Sequence, residues 1–146
     1  MALKTEAVGK EWPGATYQVG REKIKEYATA LGIENPVHFD VEAARAAGFR
    51  DVVAPPMFAV VYSSPVLLPA LFDPEIGLDF SRMVHGAQEF AWGPLVVAGD
   101  EITTEAELVS KEERGGMRFF VFETRSANQD GERVCTGTWT NIVRGD

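Results

Sequence analysis

The side chains of this 146-residue sequence best suited to move a proton near neutral pH are its two histidines, His38 and His85, with Cys135 the one thiol. The histidines stand far apart and lack the paired spacing of a zinc site, and one cysteine cannot build a thiolate cluster, so no metal ligand set is read. The glycines punctuate turns and form no phosphate-cradling loop, so no cofactor is read either. Cys135 sits in a strand pattern, where a lone cysteine behaves as a small buried hydrophobe. His38 is the residue to follow. It closes the segment Gly32-Ile33-Glu34-Asn35-Pro36-Val37-His38, in which an asparagine side chain can hold a turn and Glu34 is the neighbouring carboxylate. A titratable ring on a loop beside an apolar helix suits proton transfer, although a structural or merely exposed histidine satisfies the same pattern.

The elements that must position His38 follow from periodicity. Ala15 to Val19 reads as a short extended segment, and Ile24, Tyr27, Ala28 and Leu31 recur at helical spacing up to a natural stop at Gly32. Val41 to Ala47 reads as a second short helix, ended by Gly48, and His38 lies on the turn between the two. Met57 to Phe72 is apolar on every face, so a helix there must be wrapped on nearly all sides, with Pro55 and Pro56 at its start. Pro65 is expected to kink or break it, because an interior proline costs ~3 kcal/mol.

From Met83 onward the pattern alternates. Val84–Trp92, Glu101–Glu112, Met117–Asn128 and Arg133–Val143 read as four consecutive antiparallel strands, the last three joined by the two-residue turn signals Gly115-Gly116 and Asp130-Gly131. Phe119 to Phe122 are apolar on both faces, which predicts a central strand. One apolar helix followed by an antiparallel meander is an α+β layout in which the sheet curls around the helix, the hot-dog fold. Residues 1–146 are read as one such domain.

Composition narrows the partners. Fourteen Lys and Arg against 22 Asp and Glu leave a net charge of −8, the wrong sign for binding nucleic acid. The most apolar stretch is interrupted by Ser63, Ser64, Pro65 and Pro69 and is too short to span a bilayer, and the first residues carry no signal-peptide core. No membrane association is expected, and a single cysteine fits the reducing cytoplasm.

The chain also resembles a known family. Gly32 to His38 is similar to the G-D-x-N-P-x-H signature of the MaoC-like, R-specific enoyl-CoA hydratases and dehydratases. Ala43-Ala44-Arg45-Ala46-Ala47-Gly48-Phe49, Val52-Val53-Ala54-Pro55-Pro56-Met57-Phe58, His85-Gly86-Ala87-Gln88-Glu89-Phe90 and Ala98-Gly99-Asp100 resemble its N-terminal MaoC-like dehydratase branch, in order along nearly the whole chain. The resemblance implies a hot-dog domain acting on thioesters of coenzyme A or acyl carrier protein, interconverting a 3R-hydroxyacyl thioester and its trans-2-enoyl product. It also implies a dimer that continues one sheet into the next.

Carried over residue by residue, His38 takes the acid–base position, with Asn35 holding the turn and Glu34 the nearest replacement carboxylate. Ile33, Ala54, Pro55, Pro56, Met57 and Phe58 border the acyl channel, together with His85 and Gly86. Two departures touch the chemistry: Ile33 replaces the signature aspartate, and Pro56, which has no N–H, aligns with the glycine that donates to the thioester oxygen. The pattern therefore resembles the subunits of mycobacterial-type heterodimeric dehydratases. Three readings follow: a dehydratase or hydratase subunit completed by a second hot-dog chain, a self-sufficient homodimer, and a non-catalytic, channel-forming partner. Because both carriers are anionic, a local basic patch drawn from Arg45, Arg50, Arg82, Arg114 and Arg118 is expected.

Overall fold

An apolar run as long as Met57 to Phe72 has to find cover, and the computed structural model, which describes residues 6–145, shows how it does so. Strand β1 (Glu11–Gln18) is followed by helix α1 (Arg21–Ala30), a 3₁₀ turn over Pro36–His38, and helix α2 (Val41–Ala46). A second 3₁₀ turn, Pro56–Phe58, runs directly into helix α3 (Ala59–Leu71). Strands β2 (Met83–Trp92), β3 (Glu101–Arg114), β4 (Met117–Ala127) and β5 (Arg133–Val143) complete the chain. The five strands form one sheet in the order β1-β3-β4-β5-β2, antiparallel throughout. This is the expected hot-dog layout, with β4 in the centre. Among the described residues no helix is long and apolar enough to cross a membrane.

The expectation of four consecutive paired strands needs correction. β3, β4 and β5 do follow one another as hairpins, and Gly115 and Gly116 both take positive φ, 57° and 75°, as a two-residue hairpin turn requires. β2 instead lies beside β5 at the far edge of the sheet. The reason lies in the link from Gly93 to Asp100, which does not fold back as a turn. It forms its own short ladder with residues 52–54. β1 also begins earlier than expected, at Glu11, and its register slips between Trp12 and Ala15. Gly14 lies in that slip, where a Cβ would sit 2.6 Å from the Thr103 methyl.

The core has two lobes along α3. Val66, Leu67, Ala70 and Leu71 pack on Trp12, Ala106, Leu108, Phe120, Phe122 and Trp139. Ala59 and Tyr62 pack with Phe58, Ile24, Val52, Ile102 and Val134. Two further expectations need correction here, a break at Pro65 and cover on nearly all sides. The helix is unbroken through Pro65 and Pro69, and it is covered on one side only, since Pro65, Leu68, Pro69 and Phe72 are exposed. The two facts are linked. The proline rings lie on the open face, and the carbonyls they leave without an i+4 donor belong to the half-buried Val61 and the exposed Pro65, which are not sealed into the core. Burial of the opposite face, at ~1.5–3 kcal/mol for each large apolar side chain, outweighs the proline cost.

On the outer face of the sheet, Arg125 of β4 reaches four carboxylates: Glu123 at 3.1 Å, Glu11 at 3.3 Å, Glu107 at 3.5 Å and Glu105 at 3.9 Å. Arg125→Met leaves those four negative charges facing one another. It is expected to cost ~1–2 kcal/mol, read as a lower Tm that added salt partly restores. A loss of the same size at every salt concentration would assign the effect to packing of the arginine stem. Acid acts on two other clasps: Arg21 holds the Asp51 carboxyl below the usual carboxylate range, and Lys10 does the same for Asp73. Because both folded-state values are depressed, their contribution is present above the unfolded carboxylate range and is lost as pH falls below about 4. Denaturant midpoints measured from pH 6 to pH 3 should fall over that window, and Asp51→Asn should flatten the fall.

Candidate functional site

The turn that carries His38 is built by its own residues. Asn35 Oδ1 accepts from the Val37 N–H at 3.2 Å, and the His38 N–H donates to the Asn35 carbonyl at 3.1 Å, so the segment tightens into a 3₁₀ turn with Pro36 at its first position. The turn is then pinned to the next stretch of chain, where the Val53 N–H donates to the Val37 carbonyl at 2.9 Å and the His38 ring places Nδ1 2.6 Å from the Val53 carbonyl. A carbonyl only accepts, so Nδ1 carries the ring proton and the neutral ring keeps its lone pair on Nε2. His38, half-buried, is thus held with Nδ1 on the Val53 carbonyl.

Val53 is itself fixed. It bridges Val97, while the Ala54 N–H donates to the Val96 carbonyl at 2.8 Å and the Ala98 N–H to the Val52 carbonyl at 2.9 Å. This ladder borders a cavity of ≈310 Å³ at the head of α3, walled by Ala54, Pro55, Pro56, Tyr62, Trp92, Gly93, Pro94, Leu95, Val96 and Val134. Its lining is almost wholly apolar, so it suits an apolar group. Trp92, the last residue of β2, ties the sheet edge to the head of the helix by donating from Nε1 to the Pro56 carbonyl at 2.9 Å. Behind the wall, Tyr62 and Cys135 belong to one buried cluster. Burial pushes both the Tyr62 hydroxyl and the Cys135 thiol up, and the hydrogen bond from Tyr62 only partly opposes the shift on the thiol. Cys135 is therefore a protonated thiol and a poor nucleophile at neutral pH.

The structure brings together some of the residues singled out from sequence and not others. Ala54, Pro55 and Pro56 wall the cavity, and His38 is joined to it through Val53. Met57 is 42% exposed, and Phe58 is buried in an aromatic cluster with Tyr17, Tyr27 and Tyr62. Ile33 is half-buried and donates its N–H to the Ala28 carbonyl where α1 ends, while Glu34 and Asn35 are exposed. His85 and Gly86 lie at a bulge in β2, where His85 stacks on Trp139 with ring centroids 5.9 Å apart. They stand roughly 20 Å along the strand from Trp92 and do not reach this cavity. Trp92, Pro94, Leu95 and Tyr62 were not identified from sequence. The signal was the Gly93-Pro94 pair, which reads as a strand break although its neighbours form a wall.

The arginines fall into separate groups. Arg45 pairs with Glu42 at 3.3 Å and Arg50 with Asp100 at 2.5 Å, both near the His38 end. Arg82 and Arg118 line a polar cavity of ≈400 Å³ with Asp79, Glu113 and Arg144, at the opposite end of β5 from Val134. Arg114 lies over the Phe119 ring at 4.3 Å.

Comparison with known proteins agrees with the fold. Residues 6–137 match the family described as FAS1-like, dehydratase domain region. The chain is 42% identical over 146 residues to a UPF0336 protein of Saccharopolyspora erythraea, covering 99% of this chain and 94% of the relative. It is 46% identical over 134 residues to a UPF0336 protein of Leifsonia xyli, covering 92% and 90%. Among solved structures it is similar to the C-terminally truncated HadBC (3R-hydroxyacyl-ACP dehydratase) complex of Mycobacterium tuberculosis. There the TM-score is 0.83 at 30% identity, over 96% of this chain and 99% of that one. A MaoC-like dehydratase gives the same TM-score of 0.83 at 29% identity, over 96% of this chain and 43% of that one.

If Cys135 is the shielded thiol described above, a disulfide reagent at pH 7.5 should label the native protein at least ~100-fold more slowly than the unfolded chain. Rapid labelling of the folded protein would show that the thiol is open to solvent.

Proposed function

The chain belongs to the FAS1-like dehydratase-region family, as a relative of the UPF0336 proteins, and from that premise we propose that it is one subunit of a dehydratase or hydratase acting on 3R-hydroxyacyl and trans-2-enoyl thioesters of coenzyme A or acyl carrier protein. The observation that carries the reading is the joining of two things by Val53: a histidine held with its acceptor nitrogen free, and an apolar cavity of acyl character. In hydration of a trans-2-enoyl thioester, a base takes a proton from water as oxygen bonds to C3. An acid then delivers a proton to C2, and N–H donors stabilise the enolate oxygen between the two events. His38 Nε2 is the group here that can take the first proton.

Half of the apparatus has to come from elsewhere. Ile33 exchanges no proton, the exposed Glu34 points its function to solvent rather than to a fixed partner, and Pro56 offers no N–H to the thioester oxygen. A second hot-dog chain with an intact G-D-x-N-P-x-H segment supplies the carboxylate and the missing donor. The unpaired outer edge of β2 is the place for it to continue the sheet. The solved HadBC complex is itself a two-chain 3R-hydroxyacyl-ACP dehydratase. The setting is the reducing cytoplasm, where the Cys135 thiol stays free. The same two departures, Ile33 and Pro56, favour one further reading, a channel-forming subunit that does no proton transfer.

Turnover of crotonyl-coenzyme A decides between them. The chain alone should hydrate it poorly, and mixing with a co-encoded hot-dog partner should raise the rate by at least ~100-fold, the factor one positioned acid or base supplies. His38→Ala should then remove most of that gain. A gain indifferent to His38→Ala identifies the channel-forming subunit. Full activity of the isolated chain that survives His38→Ala would overturn the site.

A further inference from the structure

The Asp100 side chain is 2% exposed, and each of its hydrogen-bonded neighbours is a donor. Oδ1 accepts from Arg50 Nη2 at 2.5 Å and from Gln129 Nε2 at 2.9 Å, and Oδ2 accepts from the Val97 N–H at 2.9 Å. Its backbone adds a fourth tie, with the Val19 N–H donating to the Asp100 carbonyl at 2.9 Å. The carboxylate therefore joins three stretches of chain, the loop before Val52, the link from β2 to β3 and the β4–β5 turn, and the Asp100 backbone joins a fourth, the junction of β1 with α1. A charge is removed from water at this depth only where such donors replace its hydration.

The geometry points to Asp100 as the positioning residue of His38, an inference that rests on the proposed role of that histidine. The path is short and made of backbone. Asp100 fixes the Val97 N–H, Val97 bridges Val53, and the Val53 carbonyl holds Nδ1 of His38. Arg50 and Gln129 neutralise and orient the carboxylate without touching the cavity. Asparagine cannot replace it, because an amide turns an NH₂ toward either the Val97 N–H or the Arg50–Gln129 pair, and a donor then faces a donor.

The sequence holds two histidines, so ring nitrogens can be read one by one in protein labelled with ¹⁵N-histidine. In the unaltered chain His38 should show the Nδ1–H tautomer. Asp100→Asn should shift it toward the mixture of a free imidazole and leave His85 unchanged. Arg50→Gln is the second variant, because that side chain is 66% exposed and its loss does not threaten the core. It should move the His38 signals in the same direction by a smaller amount. In the two-chain enzyme both variants should lower kcat, by about tenfold for Asp100→Asn, with a smaller change in KM, since Tyr62 and Pro55 wall the cavity independently of Asp100. Should Asp100→Asn fail to fold, Arg50→Gln decides. His38 signals that match the unaltered protein in a folded variant overturn the inference, as does a His38 that lacks the Nδ1–H tautomer from the outset. Shifted signals in a protein that turns over no thioester with any partner sustain the positioning role and sink the proposed function instead.

Discussion

Because α3 carries Tyr62, Val66, Leu67, Ala70 and Leu71 on one side, it cannot exist in water unless a surface of matching size closes over it, and the curvature of the sheet answers that demand. Strands β3, β4 and β5 supply Leu108, Phe120, Phe122 and Trp139 to the contact. Everything near the head of the helix inherits this geometry. Pro55 and Pro56 aim the chain into α3, and Trp92 reaches back from the sheet edge to the Pro56 carbonyl. The cavity is the space left where the sheet and the first turn of the helix diverge.

The parts legible in the sequence were those governed by pattern. The apolar run located α3, the apolar faces of Phe119 to Phe122 located the central strand, and Gly32, Gly48 and the Gly115-Gly116 pair marked real stops, each with positive φ. What the pattern missed were events of pairing. Whether β2 joins β3 or β5 is decided by how the Gly93 to Asp100 link spends its backbone hydrogen bonds, and its partner, residues 52–54, lies about forty positions away. The prolines of α3 misled for a related reason. Their cost is local, whereas the packing that outweighs it comes from strands later in the chain.

The site shows the same division. His38 was conspicuous as a rare titratable residue on a turn, and Asn35 as its holder, because both facts are local. Asp100 stood out only as the end of the Ala98-Gly99-Asp100 segment, with no role read for its side chain. Its partners Arg50 and Gln129 are brought to it by folding, and an aspartate next to a turn glycine looks the same whether it faces water or, as here, is 2% exposed. His85 and Gly86 were conspicuous as well, yet a bulge and some 20 Å of strand keep them from the cavity of their own chain.

Trp92 gives one strand two duties that bear on each other. β2 ends the sheet, so its outer edge is open to another strand, and its last side chain also walls the cavity and holds the Pro56 carbonyl. A strand that paired with that edge would fix the twist of β2 and, with it, the angle at which Trp92 meets the head of α3. Assembly and cavity shape are then coupled through a single backbone. Under the proposed two-chain reading, that coupling makes the surface that receives the partner continuous with the wall of the cavity: both belong to β2, whose free edge is the one and whose last side chain is part of the other.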